Sequence, residues 1–310
     1  MQLHLVYFSP THTSRTIGRS IALGCNTDNI TETDLTYRHP GQPIVIQADI
    51  AIVAVPVYGG RVAETAMERL QWIKGQQTPV IPVVVYGNRD YEDALLELTD
   101  HLKNTGFCPL AAAAFIGEHS YSRTDMPIAG GRPDAADQTA AITFGCKAVE
   151  KWNAAKQKTV FPEPHIPGNY PYKIKGPKTP AAPVTSSEKC IQCGICSEVC
   201  PTEAISGTIP VSDPALCIKC CACVKECPAE AISGTIPVSD PALCIKCCAC
   251  VKECPAEAIS GTIPVSDPAL CIKCCACVKE CPAEARIFNT PYTAMLFEKC
   301  SARKEPETWF

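Results

Sequence analysis

The sequence lacks the features that would send a chain to a membrane, a nucleic acid or a nicotinamide dinucleotide. No apolar run reaches membrane-spanning length. The opening MQLHLVYFSP has neither a basic segment nor a long apolar core, so it reads as the first strand of a folded domain and not as an export signal. No G-x-G-x-x-G fingerprint occurs, which leaves direct NAD(P)H oxidation without support. Basic charge is not in excess either. Residues 1–185 carry 17 basic and 17 acidic side chains, residues 186–310 carry 11 and 15, and the formal net charge is −4. A nucleic-acid binder usually concentrates positive charge on one patch, so that class is disfavoured. Cysteine is almost missing from the first half, where only Cys25, Cys108 and Cys146 precede residue 190.

What is there is correspondingly lopsided. The other 20 of the 23 cysteines fall in the last 121 positions. A soluble chain without an export signal is expected in the cytoplasm, a reducing compartment where dense cysteine points to metal before disulfides. Core packing is the default expectation for Cys25, Cys108 and Cys146, and Cys300 reads as a surface or packing thiol.

Along residues 1–158 apolar runs alternate with helical patterns: LHLVYF then Thr13 to Leu23, DIAIVAV then Val62 to Ile73, PVIPVVVYG then Asp90 to Asn104, PLAAAAFIG then Asp134 to Trp152. With a weaker strand near Ile30 to Leu35, this predicts an α/β doubly wound parallel sheet in the flavodoxin-like order 2-1-3-4-5. Residues 159–185 are proline-rich and read as a semi-rigid linker lying against one domain. Tyr170 and Tyr172 leave a peptide-docking role open. Residues 186–310 form the third region, a small α+β domain with a C-terminal tail.

Within it AISGTIPVSDPALCIKCCACVKECPAE occurs without a changed letter at 204–230, 231–257 and 258–284. Exact identity over three copies implies recent duplication or deliberate construction. Four segments share the spacing C-x2-C-x2-C-x3-C-P: Cys190, Cys193, Cys196, Cys200; Cys217, Cys220, Cys223, Cys227; Cys244, Cys247, Cys250, Cys254; and Cys271, Cys274, Cys277, Cys281. Three thiolates two residues apart can wrap one cluster in a tight loop, while the fourth projects away to a neighbour. Structural zinc also uses C-x2-C pairs, usually with a longer spacer between them. Cys221, Cys248 and Cys275 stand where the first motif has Gly194, a slot read as needing a small residue for packing.

These segments resemble a two-cluster bacterial ferredoxin expanded to four motifs, which implies [4Fe-4S] clusters held by all sixteen cysteines. If neighbours pair as in that family, one cluster takes Cys190, Cys193, Cys196 and Cys227, and the next Cys217, Cys220, Cys223 and Cys200. The third takes Cys244, Cys247, Cys250 and Cys281, and the fourth Cys271, Cys274, Cys277 and Cys254. A nested arrangement, first motif with last, is the open alternative.

In the first region FSPTHTSRT follows the first strand and opens the first helix, where backbone donors and the helix dipole suit a phosphate. It resembles the flavodoxin S-x-T-G-x-T loop, with His12 where glycine is usual. Together with VPVYGGRV, VYGNRDYEDALLEL, FIGEHSYS and GGRPDAAD, it resembles the flavodoxin half of EFR1-type flavodoxin-ferredoxin fusion proteins. The resemblance implies FMN, with Ser9, Thr11, His12, Thr13 and Ser14 at the phosphate and Pro56, Val57, Tyr58, Gly59, Gly87, Asn88 and Tyr91 near the ring. Arg61, Arg89 and Arg123 are candidates for phosphate or a partner, or plain surface cations, and His119 for the ring edge or a structural bond.

Flavin chemistry in ones and twos joined to one-electron clusters leads to the expectation of a low-potential electron carrier serving redox partner proteins. No catalytic residues, nucleic acid or membrane insertion are expected. A cluster-fed flavin reductase and a zinc-binding scaffold are the rival readings.

Overall fold

The structure, a computed structural model, describes residues 1–37, 40–122, 126–155, 162–175, 182–229, 231–234, 238–239, 259–260, 265–266, 286–287 and 293–310. The chain divides into two units, Met1–Lys178 with Leu296–Phe310, and Thr179–Met295.

The first unit begins with β1 (Leu3–Tyr7), α1 (Thr13–Gly24), β2 (Ile30–Asp34), β3 (Ile44–Ile46), β4 (Ile50–Tyr58) and β5 (Arg61–Val62). It continues with α2 (Glu64–Leu70), β6 (Ile73–Gly75), β7 (Thr78–Tyr86), α3 (Ala94–Asn104), β8 (Phe107–Pro109), β9 (Ala112–Ile116) and α4 (Ala135–Ala155). Strands β2, β1, β4, β7 and β9 lie side by side and every neighbouring pair is parallel. This is the flavodoxin-like 2-1-3-4-5 order. The central strands are runs of Val, Ile and Ala because both faces of the sheet are covered, and β1 and β9 are buried throughout. The edge strand β2, ITETD, is mostly exposed. Leu5, Ile17, Ile52, Val83, Phe115 and Phe144 belong to one continuous core.

Two helices are shorter than the periodicity predicts. The stretch Val62 to Ile73 keeps only Glu64–Leu70 as helix, because Val62 pairs back onto Val57 and Ile73 pairs with Ile44. The stretch Asp90 to Asn104 becomes helical only at Ala94, since Asn88 and Glu92 hold positive φ angles of 62° and 43°.

In the second unit β10 (Pro183–Thr185), α5 (Ile195–Glu198), β11 (Ile205–Ser206), β12 (Val211–Ser212), α6 (Ala222–Lys225) and β13 (Ile232–Gly234) come first. They are followed by β14 (Val238–Ser239), β15 (Ile259–Ser260), β16 (Val265–Ser266) and β17 (Arg286–Ile287). All four pairings, β10 with β13, β11 with β12, β14 with β17 and β15 with β16, are antiparallel. Cys196, Ile205, Cys223 and Ile232 form a small buried core there.

The chain then enters α7 (Thr293–Cys300) and ends in β18 (Glu307–Trp309), which pairs antiparallel with β9 at the far edge of the large sheet. The tail assigned by sequence to the domain 186–310 is therefore part of the first unit, where Leu296 and Cys300 are buried with Ile128. Cys300 is a packing thiol. The linker boundary moves too. Residues 162–175 belong to the first unit, where Asp93 accepts from the Asn169 and Lys173 backbone N–H groups at 2.9 and 2.6 Å. Tyr170 and Tyr172 both donate to Asp100 on α3, so their hydroxyls are engaged within the chain. No helix among the described residues is long and apolar enough to cross a membrane.

Candidate metal and cofactor sites

The first two cysteine motifs fold alike. Residues Gln192, Gly194, Lys219 and Cys221 hold φ angles of 56°, 77°, 59° and 59°, so each motif curls through alternate left-handed positions before its short helix. This loop turns backbone N–H groups toward sulfur. The Gln192 N–H donates to Cys190 Sγ and the Lys219 N–H to Cys217 Sγ, both at 3.4 Å. The Ala204 N–H donates to Cys200 Sγ and the Ala231 N–H to Cys227 Sγ, both at 3.3 Å. Partners in each pair are one repeat period apart, so the two motifs are near-equivalent halves.

Cys200 of the first motif and Cys217, Cys220, Cys221 and Cys223 of the second line one cavity of ≈ 330 Å³, mouth included, together with Pro183, Ile205 and Ile218. Neighbour pairing expects four of these five cysteines around one cluster; Cys221 is the addition. Cys196, Cys200, Cys223 and Cys227 all meet in the same small core, while Cys193 is exposed. Among the described residues no three His, Cys, Asp or Glu side chains converge on a single-ion site. Five cysteines border the cavity. Burial pushes the Cys220 thiol up to about 12, and Cys217 and Cys223 upward as well. A metal cluster held by these cysteines would take them as thiolates, so its loading would release protons. The cysteines Cys244, Cys247, Cys250, Cys254, Cys271, Cys274, Cys277 and Cys281 lie outside the described residues.

Cys221 and Gly194 share a left-handed backbone, φ 59° and 77°, and a Cβ built on Gly194 meets no protein atom within 4 Å. Cys248 and Cys275 lie outside the described residues. Burial pushes the Cys221 thiol up to about 12.

The candidate flavin residues converge on one edge of the large sheet. Ser9 to Ser14 follow β1, Pro56 to Gly59 close β4, and Gly87, Asn88 and Tyr91 follow β7. These are carboxyl ends of adjacent parallel strands, and β1 and β4 flank the point where strand order reverses. His12 adopts φ 64°, the left-handed geometry that glycine would supply, and makes no side-chain cap to α1. Its N–H donates to Ser9 O at 3.1 Å, and the Arg15 N–H donates to Ser9 Oγ at 3.0 Å. Thr11 and Thr13 are half-buried beside it. Ser14 is fully buried, and its hydroxyl has no partner. A helix start that His12 does not cap, beside an unpartnered buried hydroxyl, fits an anionic oxygen group.

At the ring end Pro56 is buried, Val57 and Tyr58 are half-buried, and the chain reverses at Gly59 and Gly60. Asn88, only 1% exposed, donates through Nδ2 to Cys300 O at 2.5 Å and Ala302 O at 2.7 Å, leaving Oδ1 unpartnered. Tyr91 donates to Glu307 at 3.0 Å and meets Trp309 edge-on at 6.2 Å. Burial, then that hydrogen bond, pushes the Tyr91 hydroxyl upward. Lys304 donates to Arg89 O at 2.6 Å, and Arg132, paired with buried Asp137, donates to Lys304 O at 2.7 Å. The tail as a neighbour of the β7 loop is invisible to sequence reading, because the two are about two hundred residues apart.

His119 accepts the Tyr121 N–H at Nδ1 (3.0 Å) and lies against Gly87, where an added Cβ would stand 2.4 Å from its Cδ2. Arg61 is bound to Glu97 at 2.8 Å and to Lys173 O at 2.7 Å, and Arg89 to Glu92 at 2.7 Å. Arg123 lies outside the described residues. Cys25 is buried, Cys108 is half-buried with Sγ 3.2 Å from Gln77 Oε1, and Cys146 is exposed, so a core role holds for the first alone.

Residues 183–206, 210–233 and 237–260 each match the family model described as 4Fe-4S binding domain. No curated protein matches the chain. Among solved structures, a flavodoxin from the domain Archaea is 13% identical, covering 49% of this chain and 99% of that one with TM-score 0.32. A Streptococcus pneumonia TIGR4 flavodoxin is 15% identical, covering 50% and 99% with TM-score 0.35. Rubredoxin oxygen:oxidoreductase from Desulfovibrio gigas is 17% identical, covering 49% of this chain and 36% of that one with TM-score 0.38.

Proposed function

We propose that the chain is an electron carrier of the EFR1-type flavodoxin-ferredoxin kind, moving electrons between FMN and a series of [4Fe-4S] clusters and on to a redox partner protein. The observation that carries this reading is the cavity lined by Cys200 of one motif and Cys217, Cys220, Cys221 and Cys223 of the next, joined in one chain to a flavodoxin-like sheet. When bound, clusters supply one-electron steps and a flavin couples them to paired-electron chemistry.

The protein's own residues supply position and tuning. Cys190, Cys193, Cys196 and Cys227 would hold one cluster, and Cys217, Cys220, Cys223 and Cys200 the next. Hydrogen bonds to sulfur and solvent exposure both set cluster potential. The N–H donors at Cys190, Cys200, Cys217 and Cys227 are matched between halves, whereas Cys193 is exposed and its counterpart Cys220 is buried. That difference in exposure would set the two clusters at different potentials. Ser9, Thr11, His12, Thr13 and Ser14 would hold the flavin phosphate, with Pro56, Val57, Tyr58, Gly59, Gly87, Asn88 and Tyr91 toward the ring.

Iron, acid-labile sulfide, zinc and flavin per chain on protein purified without oxygen test the reading. About sixteen irons with as many sulfides and one FMN are expected from four ferredoxin motifs. Zinc without sulfide would overturn the electron-transfer reading in favour of a scaffold. Clusters present with reduction of a small oxidant that depends on FMN would shift it to a reductase.

A further inference from the structure

Each cysteine motif is preceded by one short strand and followed by another. The preceding strands are Pro183–Thr185, Val211–Ser212, Val238–Ser239 and Val265–Ser266, and the following ones Ile205–Ser206, Ile232–Gly234, Ile259–Ser260 and Arg286–Ile287. The octet ISGTIPVS, present without change at 205–212, 232–239 and 259–266, contains a following strand and the next preceding one. Identical octets do not pair identically. In the first copy Ile205 pairs with Ser212 and Ser206 with Val211, and in the third Ile259 pairs with Ser266 and Ser260 with Val265. In the second copy the two ends part: Ile232 pairs with Thr185 and Ser233 with Val184, while Val238 pairs with Ile287 and Ser239 with Arg286.

The registers have a simple order. The strand before the first motif pairs with the strand after the second, and the strand after the first with the strand before the second. The same relation, in the same register, joins the strands around the third and fourth motifs. We infer that the cluster-binding region is two closed two-motif modules in tandem, spanning β10–β13 and β14–β17, so that repeat units work in pairs and an odd unit has no partner.

Local sequence cannot make this choice, because the octets are the same. The outer strands can, since Pro183–Thr185 and Arg286–Ile287 each occur once. Strand pairing by these ends fixes which motifs face each other, and a fourth cysteine that serves the facing motif's cluster then has its recipient within the module. The nested arrangement would pair Val184–Thr185 with Arg286–Ile287, which the observed registers do not do.

The inference rests on the cluster reading, and the experiment separates the two. Iron and acid-labile sulfide per chain are measured anaerobically for the full chain, for a chain lacking 231–284, and for a chain lacking only 258–284. A full chain without iron and sulfide sinks the cluster reading itself. With clusters present, both deletions are expected to hold half the iron of the full chain, because the third motif left by the single deletion cannot complete a module. Three quarters of the iron in the single deletion, or none in the double deletion, overturns the pairing.

A second comparison does not depend on deletion. Gly207 turns the first octet at φ 91°, a geometry that a β-branched residue resists, whereas Gly234 is a strand residue opposite Pro183. Iron retained after mild heating is expected to fall in Gly207→Val and to hold in Gly234→Val. Equal loss in both means that the copies are structurally interchangeable, and overturns the inference.

Discussion

Ser14 is the side chain whose behaviour separates a folding role from a binding one. Its hydroxyl is buried without a partner at the start of α1, so it costs desolvation and returns nothing to the protein alone. Ser14→Ala is expected to leave unfolding stability unchanged or raise it by up to about 1 kcal/mol, while weakening FMN binding. Thermal melts and flavin titration check the two halves separately. Loss of stability with flavin binding intact would assign the hydroxyl to the fold instead. His12 and Cys221 carry the complementary lesson. Both hold left-handed backbone where a related motif has glycine, and neither position shows it in sequence, because a non-glycine residue there reads as a mismatch and not as a tolerated strain of roughly 1–2 kcal/mol. The spacing of Cys200, Cys217, Cys220 and Cys223 was legible, since ligand chemistry depends on chain separation.

At the scale of elements, Asp93 is one of several groups that dock residues 162–175, with Asp100 and Arg61. Burial pushes the Asp93 carboxyl upward, but the Lys173 and Asn169 N–H bonds outweigh it and hold the group below the usual carboxylate range. A group whose folded pKa is depressed gives its stabilisation in full above the unfolded value and loses it as pH falls through the folded one. Protection of the Asn169 and Lys173 amides from hydrogen exchange, corrected for intrinsic rates, is therefore expected at neutral pH and to be lost only as pH falls below the usual Asp range, through the depressed folded value. Asp93→Asn should lose that protection at pH 7 as well; unchanged protection in the variant would remove Asp93 from this role. The proline content of the segment foretold an extended chain but not where it lies. The sheet order was readable for the opposite reason: apolar runs of period-free burial alternating with amphipathic helices leave few arrangements, whereas β18 is three residues, ETW, that no pattern marks as a strand.

Taken whole, the molecule is a cluster-binding unit inserted within a flavodoxin-like one, because Leu296–Phe310 returns to the sheet that Met1–Lys178 builds. Both ends of the inserted stretch are anchored on one body, the first by Asp93 and Asp100, the second by Asn88, Arg132 and β9. Lengthening a stretch closed in this way is inexpensive, since doubling a loop costs only about 0.6 kcal/mol in closure entropy. Two surplus repeat units can thus be carried without disturbing the anchors. The same topology makes the chain resistant to falling apart when cut. A single protease nick between Lys175 and Pro183 severs the backbone but leaves the later fragment held through its own last strand, so the two pieces are expected to migrate as one on size exclusion and to part only in denaturant. The tail then acts as a latch, keeping the cluster-binding part attached to the flavodoxin-like part even after the covalent connection at the other end is gone.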